Sequence, residues 1–275
     1  MEPITFKQCF KGAWRDGFHA LRSRPLLSLS IAVVLLVTNA INVSLRQLIL
    51  EASQSGQGMA GQFSFVGIAF VLLAINIVAL SILAVHIYKH VILGAEVARQ
   101  AHWYNRDVWR LIWASIQFAI GFLIVYAVLV VVGVFALRGA GQGHSTAAAA
   151  TILVLLGCAL IYVAKRVSLV FPQIAAGRAK RWRSAWHDSR GHFWSMFGTA
   201  LVTVLPLVAV AIIFTLGFAL MLNMIPGATT VLLATLVIQT ILTFAWIAVA
   251  IGVSAWLYKR YANELLTFGD APDDL

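Results

Sequence analysis

The sequence predicts an all-α, polytopic membrane protein with six transmembrane helices and three amphipathic interfacial helices. Three observations carry the prediction. Of 275 residues, 61% are hydrophobic and only 11% charged, against about a quarter charged in soluble domains. Apolar runs of the roughly 20 residues that cross a bilayer recur at 26–48, 63–87, 111–137, 147–170, 199–222 and 229–257. The connections between them hold neither strand alternation nor a Gly-rich phosphate loop, so residues 1–275 read as a single integral membrane domain.

Ahead of the first span, Phe6, Phe10, Trp14, Phe18 and Leu21 recur every three or four residues. Lys7, Lys11, Arg15 and Arg22 fall off that stripe, the pattern of a helix lying in the interface. Pro25 marks its junction with the first span. That span is too long for a signal peptide and no small-x-small cleavage site follows it, so residues 1–24 are expected to remain. Short, Gly-rich segments join the spans of each pair: "RQLILEASQSGQGMAGQ", "RGAGQGHST" and "NMIPGAT". Before the fifth span, residues 178–198, "RAKRWRSAWHDSRGHFWSMFG", predict one continuous interfacial helix. Trp182, Ala185, Trp186, Ser189, Phe193 and Met196 line one side of it, and Lys180, Arg183, His187 and Arg190 another. Residues 265–275 form an acidic tail, expected either to be disordered or to touch the basic face. Cys9 and Cys158 are expected to be free thiols, one in a basic stretch and one mid-span.

Eighteen of the 20 Lys and Arg lie before span 1, between spans 2 and 3, between spans 4 and 5, or after span 6; only Arg46 and Arg138 fall opposite. The positive-inside rule therefore places both termini in the cytoplasm. The formal charge of +10 is accounted for by topology before any nucleic-acid partner is needed.

"AWRD" at 13–16, "HWYN" at 102–105 and "AWHD" at 185–188 each precede an odd-numbered span, while "YKH", "YVAKR" and "YKR" close the even ones. If these are copies, the repeat units are 6–90, 91–166 and 167–260, each an interfacial helix followed by a helical hairpin and related by rotation about the membrane normal.

The stretch "RVSLVFPQIAAGRAKRWRSAWHDSRGHFW" resembles the pattern of YciC-like bacterial inner-membrane proteins and of the membrane domain attached to some bacterial glycerophosphodiester phosphodiesterases. Arg166, Pro172, Ser184, Trp186, Gly191 and Trp194 supply the matching positions. "FKGAWRDGFHALRSRPLLSL" and the closing "LYKR" are similar to the ends of that family. Ala176, Gly177 and Arg178 stand where the family often has an acidic residue. The resemblance implies a six-helix membrane protein; without a phosphodiesterase barrel it does not imply that enzyme activity.

The candidate sites follow from the charge pattern. Arg178, Lys180, Arg181, Arg183 and Arg190 are the expected contacts to anionic lipid headgroups, each cation contributing about 1 kcal/mol near an anionic surface. Trp14, Trp103, Trp182, Trp186 and Trp194 are the expected interfacial anchors. Aromatics beside Arg also suit base stacking, but the interfacial position favours lipid, and no nucleic-acid partner is expected. Asp, Glu, Lys and Arg are absent from the span centres, which disfavours proton-coupled transport. Asn39, Asn42, Asn76, Gln117 and Gln239, with Thr240 and Thr243, either line a polar path or hydrogen-bond between helices. His86 and His90 have the i, i+4 spacing of metal ligands, with Glu96, His102 and His187 as conceivable partners; solvated interfacial histidines are the simpler reading, and neither a metal nor a cofactor is expected. Pro172 and Pro206 either free carbonyls for an ion or turn the chain. His187, Asp188 and His192 with Arg183 and Arg190 are the residues a lipid-modifying enzyme would use. The reading preferred is a non-enzymatic scaffold or accessory subunit that binds anionic lipids and packs against other membrane proteins or itself. A transporter or channel for a small or amphipathic solute comes second and a lipid-modifying enzyme third.

Overall fold

The computed structural model describes residues 4–54, 59–102, 104–139, 145–222 and 228–262, and these are helices joined by short connections. The long helices are α2 (Pro25–Gln54), α3 (Met59–Ile92), α5 (Arg106–Gly139), α6 (Ser145–Val167), α9 (Phe193–Leu222) and α10 (Ala228–Tyr261). All six are long and apolar enough to cross a membrane. The shorter ones are α1 (Phe6–Ser23), α4 (Ala95–Gln100), α7 (Val170–Ala175) and α8 (Trp182–Asp188). Their surfaces fit a bilayer as solvent: residues 119–128 of α5 and 212–217 of α9 are exposed on every side. Apolar area on that scale, including Leu123, Ile124, Ile213 and Leu216, is not left open to water by soluble proteins.

Local chemistry sets the helix boundaries. Thr5 caps α1, its hydroxyl accepting from the Gln8 amide while the Gln8 side chain accepts from the Thr5 amide at 2.7 Å. Pro25 disfavours helical geometry at Arg24, which sits at φ −137° and ψ 76°. The same proline opens α2, where a missing N–H costs nothing. At the basic end four helices outrun their apolar runs: α5 and α9 begin at Arg106 and Phe193, and α3 and α10 continue to Ile92 and Tyr261.

α10 is the hub, packing against α1, α2, α3, α7 and α9. Its tightest partner is α1. Ala13 and Gly17 on α1 and Ala248 and Gly252 on α10 each form a small-x-x-x-small pair, and the helices dock with these faces in antiparallel register. A Cβ on Gly252 would stand 2.7 Å from the Ala13 carbonyl oxygen, one on Gly17 3.0 Å from that of Ala248, and one on Gly12 would overlap the Trp256 ring. The face α1 buries is thus Cys9, Gly12, Ala13, Gly17 and Ala20, about 100° around the helix from the aromatic stripe. Phe6 and Phe18 remain exposed. Sequence periodicity found the aromatic face and missed the small one, along which α1 runs back against the end of α10.

The helix expected within 178–198 is two elements. α8 stops at Asp188, Gly191 takes a left-handed φ of +79°, and Phe193 and Met196 belong to α9. Only glycine adopts that φ without strain, and the guanidinium of Arg166 claims the end of α8, donating to the Trp186 carbonyl at 2.7 Å and to Ser189 Oγ at 3.1 Å. The three elements that lead into odd-numbered spans, α1, α4 and α8, are also unequal, with 18, 6 and 7 residues. α9 runs unbroken through Pro206.

Gly252→Val is expected to lower stability by about 1–3 kcal/mol through overpacking, with earlier proteolysis of α1. Gly198→Ala, where an added Cβ meets nothing within 4 Å, is expected to leave the melting temperature unchanged in the same detergent.

Candidate functional site

The basic ends of the helices, where α1, α4, α7 and α8 gather, hold the ion pairs Arg15–Asp16, Lys89–Asp107 and Arg99–Glu96. The ion pair Lys89–Asp107 ties the last turn of α3 to the first turn of α5 with both side chains largely buried. Asn105 donates to the same carboxylate at 3.3 Å. Arg166 is the second tie: buried, 4.0 Å over the Trp186 ring centroid, it also donates to the Tyr162 hydroxyl. Neither role shows in sequence, because each depends on a partner from another element.

A third cluster joins α1 to α3. His19 Nδ1 and His90 Nε2 share a proton at 3.1 Å. His86 Nε2 lies 3.1 Å from both the Ala20 carbonyl and Ser23 Oγ. A carbonyl only accepts, so His86 carries its proton on Nε2, and its Nδ1 is buried without a partner. The metal partners considered from sequence do not converge here: Glu96 faces Arg99 at 3.6 Å, His102 packs on Tyr104, and His187 is exposed. Among the described residues no group of three or more His, Cys, Asp or Glu has metal-holding geometry.

The five expected headgroup cations divide. Arg178 lies beside the Tyr258 hydroxyl, and Lys180 donates to Gln117 Oε1 at 2.7 Å while its ammonium stands 5.7 Å from the Trp182 ring centroid. Arg181 is half-buried and already engaged. Arg183 and Arg190 are exposed. On the adjacent surface, Lys7, Lys11 and Arg15 border a groove of about 560 Å³ whose other walls include Gly12 and Trp256. These three recur one turn apart, so the signal was present in the sequence; what it lacked was Trp256 beside them. Asp16 holds the groove's edge, accepting from Trp256 Nε1 at 3.2 Å and from Arg15 Nε at 2.9 Å.

The tryptophans divide as well. Trp194 is 79% exposed. Trp14 is half-buried and donates to the Thr203 carbonyl at 3.1 Å, one residue beyond the carbonyl that Pro206 leaves without its helical donor. Trp182 packs against the core, Trp186 carries Arg166, and Trp103 lies outside the described residues, as does the acidic tail 265–275. Trp109 and Trp113, one turn apart on α5, are 62% and 60% exposed and were not singled out from sequence. His187, Asp188 and His192 diverge: Asp188 is buried and His192 stacks on Tyr261.

The polar residues of the spans do not form one row. Thr38 donates to Asn76, Asn39 to Thr240, and Asn42 to the Thr38 carbonyl, a belt between α2, α3 and α10. Gln117 is at the basic end with Lys180. Gln239 faces a groove between α9 and α10.

No family model, curated protein or solved structure matches the chain.

Asp107→Asn leaves Lys89 buried without its counter-charge and is expected to cost about 3–5 kcal/mol, whereas the double variant Lys89→Met/Asp107→Leu recovers most of that loss; melting in one detergent reads both. Burial pushes the Cys9 thiol up, with Arg260 opposing. The thiolate is therefore scarce at neutral pH, and maleimide labelling of Cys9 is expected to stay slow up to the ordinary thiol range and to become fast on unfolding.

Proposed function

We propose that the chain is a non-enzymatic multi-pass scaffold or accessory subunit of a bacterial inner membrane, of the YciC-like kind, that grips anionic lipid headgroups at its basic end. Both termini then lie in the cytoplasm, and the exposed span surfaces are available to lipid and to other membrane proteins. The observation that carries the reading is the distribution of exposed cations. Arg183 and Arg190 stand on one side of the basic end, and Lys7, Lys11, Arg15 and Arg22 along the outer face of α1. Exposed Trp109, Trp113 and Trp194 flank them. Lipid phosphates satisfy such cations without the desolvation that a buried partner imposes, and indole rings favour the same depth.

The structure changes the emphasis within this reading. Arg178, Lys180 and Arg181 already have contacts in the protein and contribute field more than direct ligation, so Arg183, Arg190 and the α1 groove carry the headgroup contacts.

The test is lipid selectivity in nanodiscs of mixed anionic and zwitterionic lipid. Arg183→Gln/Arg190→Gln combined with Lys7→Gln/Lys11→Gln is expected to abolish the enrichment of anionic lipid around the protein at low salt while leaving its melting temperature within a few degrees. Undiminished enrichment would remove the proposal.

A further inference from the structure

Where the last turn of α1 meets α3, the contact between them is made by histidines. His86 Nε2 lies 3.1 Å from the Ala20 carbonyl and 3.1 Å from Ser23 Oγ, and His90 Nε2 lies 3.1 Å from His19 Nδ1. His90 is 8% exposed, while His19 reaches the surface. His86 is the fixed member, because the carbonyls of Ala20 and Ala98 both face it. The pair His19–His90 has no such carbonyl and must satisfy itself.

Its hydrogen bonds count its protons. In a neutral imidazole one nitrogen donates and the other accepts. With the His90 proton on Nε2, that nitrogen donates to His19 Nδ1, and His19 keeps its own proton on Nε2. Each ring then holds one proton, and the buried N–H has an acceptor. A third proton finds no place. His90 Nδ1 is buried without a partner, so protonating it makes a buried donor with nothing to accept from it. A proton on His19 Nδ1 instead meets the N–H of His90 and drives that proton to Nδ1, with the same result. A buried unsatisfied donor carries its whole desolvation penalty, and the charge adds to it.

The surroundings give little relief. Asp16 of α1 and Arg99 of α4 face His90, and Arg24 at the junction of α1 with α2 faces His86. Asp16 is already engaged by Arg15 and Trp256, and Lys259 of α10 faces it as well. Glu96 of α4 pairs with Arg99, and Asp107 of α5 with Lys89, the chain neighbour of His90. α7 and the opening turns of α2 carry no charged residue.

We propose that the His19–His90 pair is an acid-sensitive latch: uptake of one proton by the pair parts the last turn of α1 from α3, while the small-residue face of α1 stays seated on α10. Parted from each other, both rings are solvated and take protons below about pH 6.5, the ordinary histidine value. The docked pair binds fewer protons than the parted one, so the stability of docking is present above that value and is lost as pH falls through and below it. The latch does not depend on the headgroup reading.

The test uses the full chain in nanodiscs, with Cys9→Ala and Cys158→Ala, and spin-label distances measured between about pH 8 and pH 5. Labels at Arg22→Cys and Val97→Cys, both exposed positions on α1 and α4, are expected to move apart reversibly in acid by about 5 Å, one helical turn. Labels at Lys11→Cys and Lys259→Cys, spanning α1 and α10, are expected to keep their distance. Glutamine offers both a donor and an acceptor, so His90→Gln pairs with His19 in either protonation state and is expected to stay docked throughout. Arg99→Gln removes the cation facing His90 and is expected to shift the midpoint of opening to lower pH, and His102→Gln to leave it unchanged. Melting temperatures at the upper pH certify folding, and if His90→Gln fails there, Arg99→Gln decides. The proposal is overturned if the α1–α4 distance is the same at both ends of the range, if folded His90→Gln opens as the wild type does, if Arg99→Gln leaves the midpoint in place, or if both label pairs separate together, which is acid unfolding.

Discussion

The backbone contact between α1 and α10 is the constraint on which the basic end depends. A helix docked on a span gains little by hiding apolar side chains from equally apolar lipid, so close van der Waals approach must contribute to holding α1 on α10. Ala13 and Gly17 against Gly252 and Ala248 permit that approach. Once α1 is seated, its other faces reach three different helices: Trp14 the carbonyl of Thr203 on α9, Asp16 the indole of Trp256 on α10, and His19 and Ser23 the histidines of α3. A segment that composition alone assigns to the membrane surface therefore works as the peg that fixes the relative positions of three spans.

Around that peg the cations serve two physical ends. Lys89 and Arg166 sit where the surroundings are dry and are neutralised or hydrogen-bonded by Asp107, Ser189, Tyr162 and a helix-end carbonyl. Removing one partner from such a group leaves the whole desolvation cost unpaired. Arg183, Arg190 and the α1 cations are solvated, so their energetics are those of a charged surface: small per residue, additive in field, and screened by salt. Charge sorting by sequence places both kinds on the same side and cannot separate them, because separation depends on whether an acidic or carbonyl partner from a distant element lies within reach.

The same boundary explains how much was legible. The six spans follow from run length, since a bilayer imposes one dimension on every crossing helix. The break at Arg24–Pro25 follows from local sterics. The break at Gly191 was equally local, yet the aromatic periodicity through Phe193 and Met196 concealed it, since those residues keep helical spacing across the turn. Nothing local distinguishes Asn76, paired across to Thr38, from Gln239, facing the α9–α10 groove; amide side chains in apolar runs read alike until the neighbouring helix is in place. Trp109 and Trp113 were visible at i, i+4, one just before and one just inside the apolar run 111–137.

The bundle differs between its two ends in a way that bears on what it can do. At the basic end α5 is tied to α3 through Asp107 and Lys89, and α6 meets α8 and α9 through Arg166, Tyr162 and Phe193. Further along, α5 over 119–128 and α9 over 212–217 have no buried face among the described residues. Packing there is concentrated on α2, α3 and α10, where Thr38, Asn76, Asn39 and Thr240 supply the hydrogen bonds. Spans packed at one end and exposed over these stretches leave apolar helix surface on several sides at once. Under the proposed role that surface is the asset: helices held at one end and solvated by lipid at the other meet a neighbouring span or an acyl chain without first separating from one another.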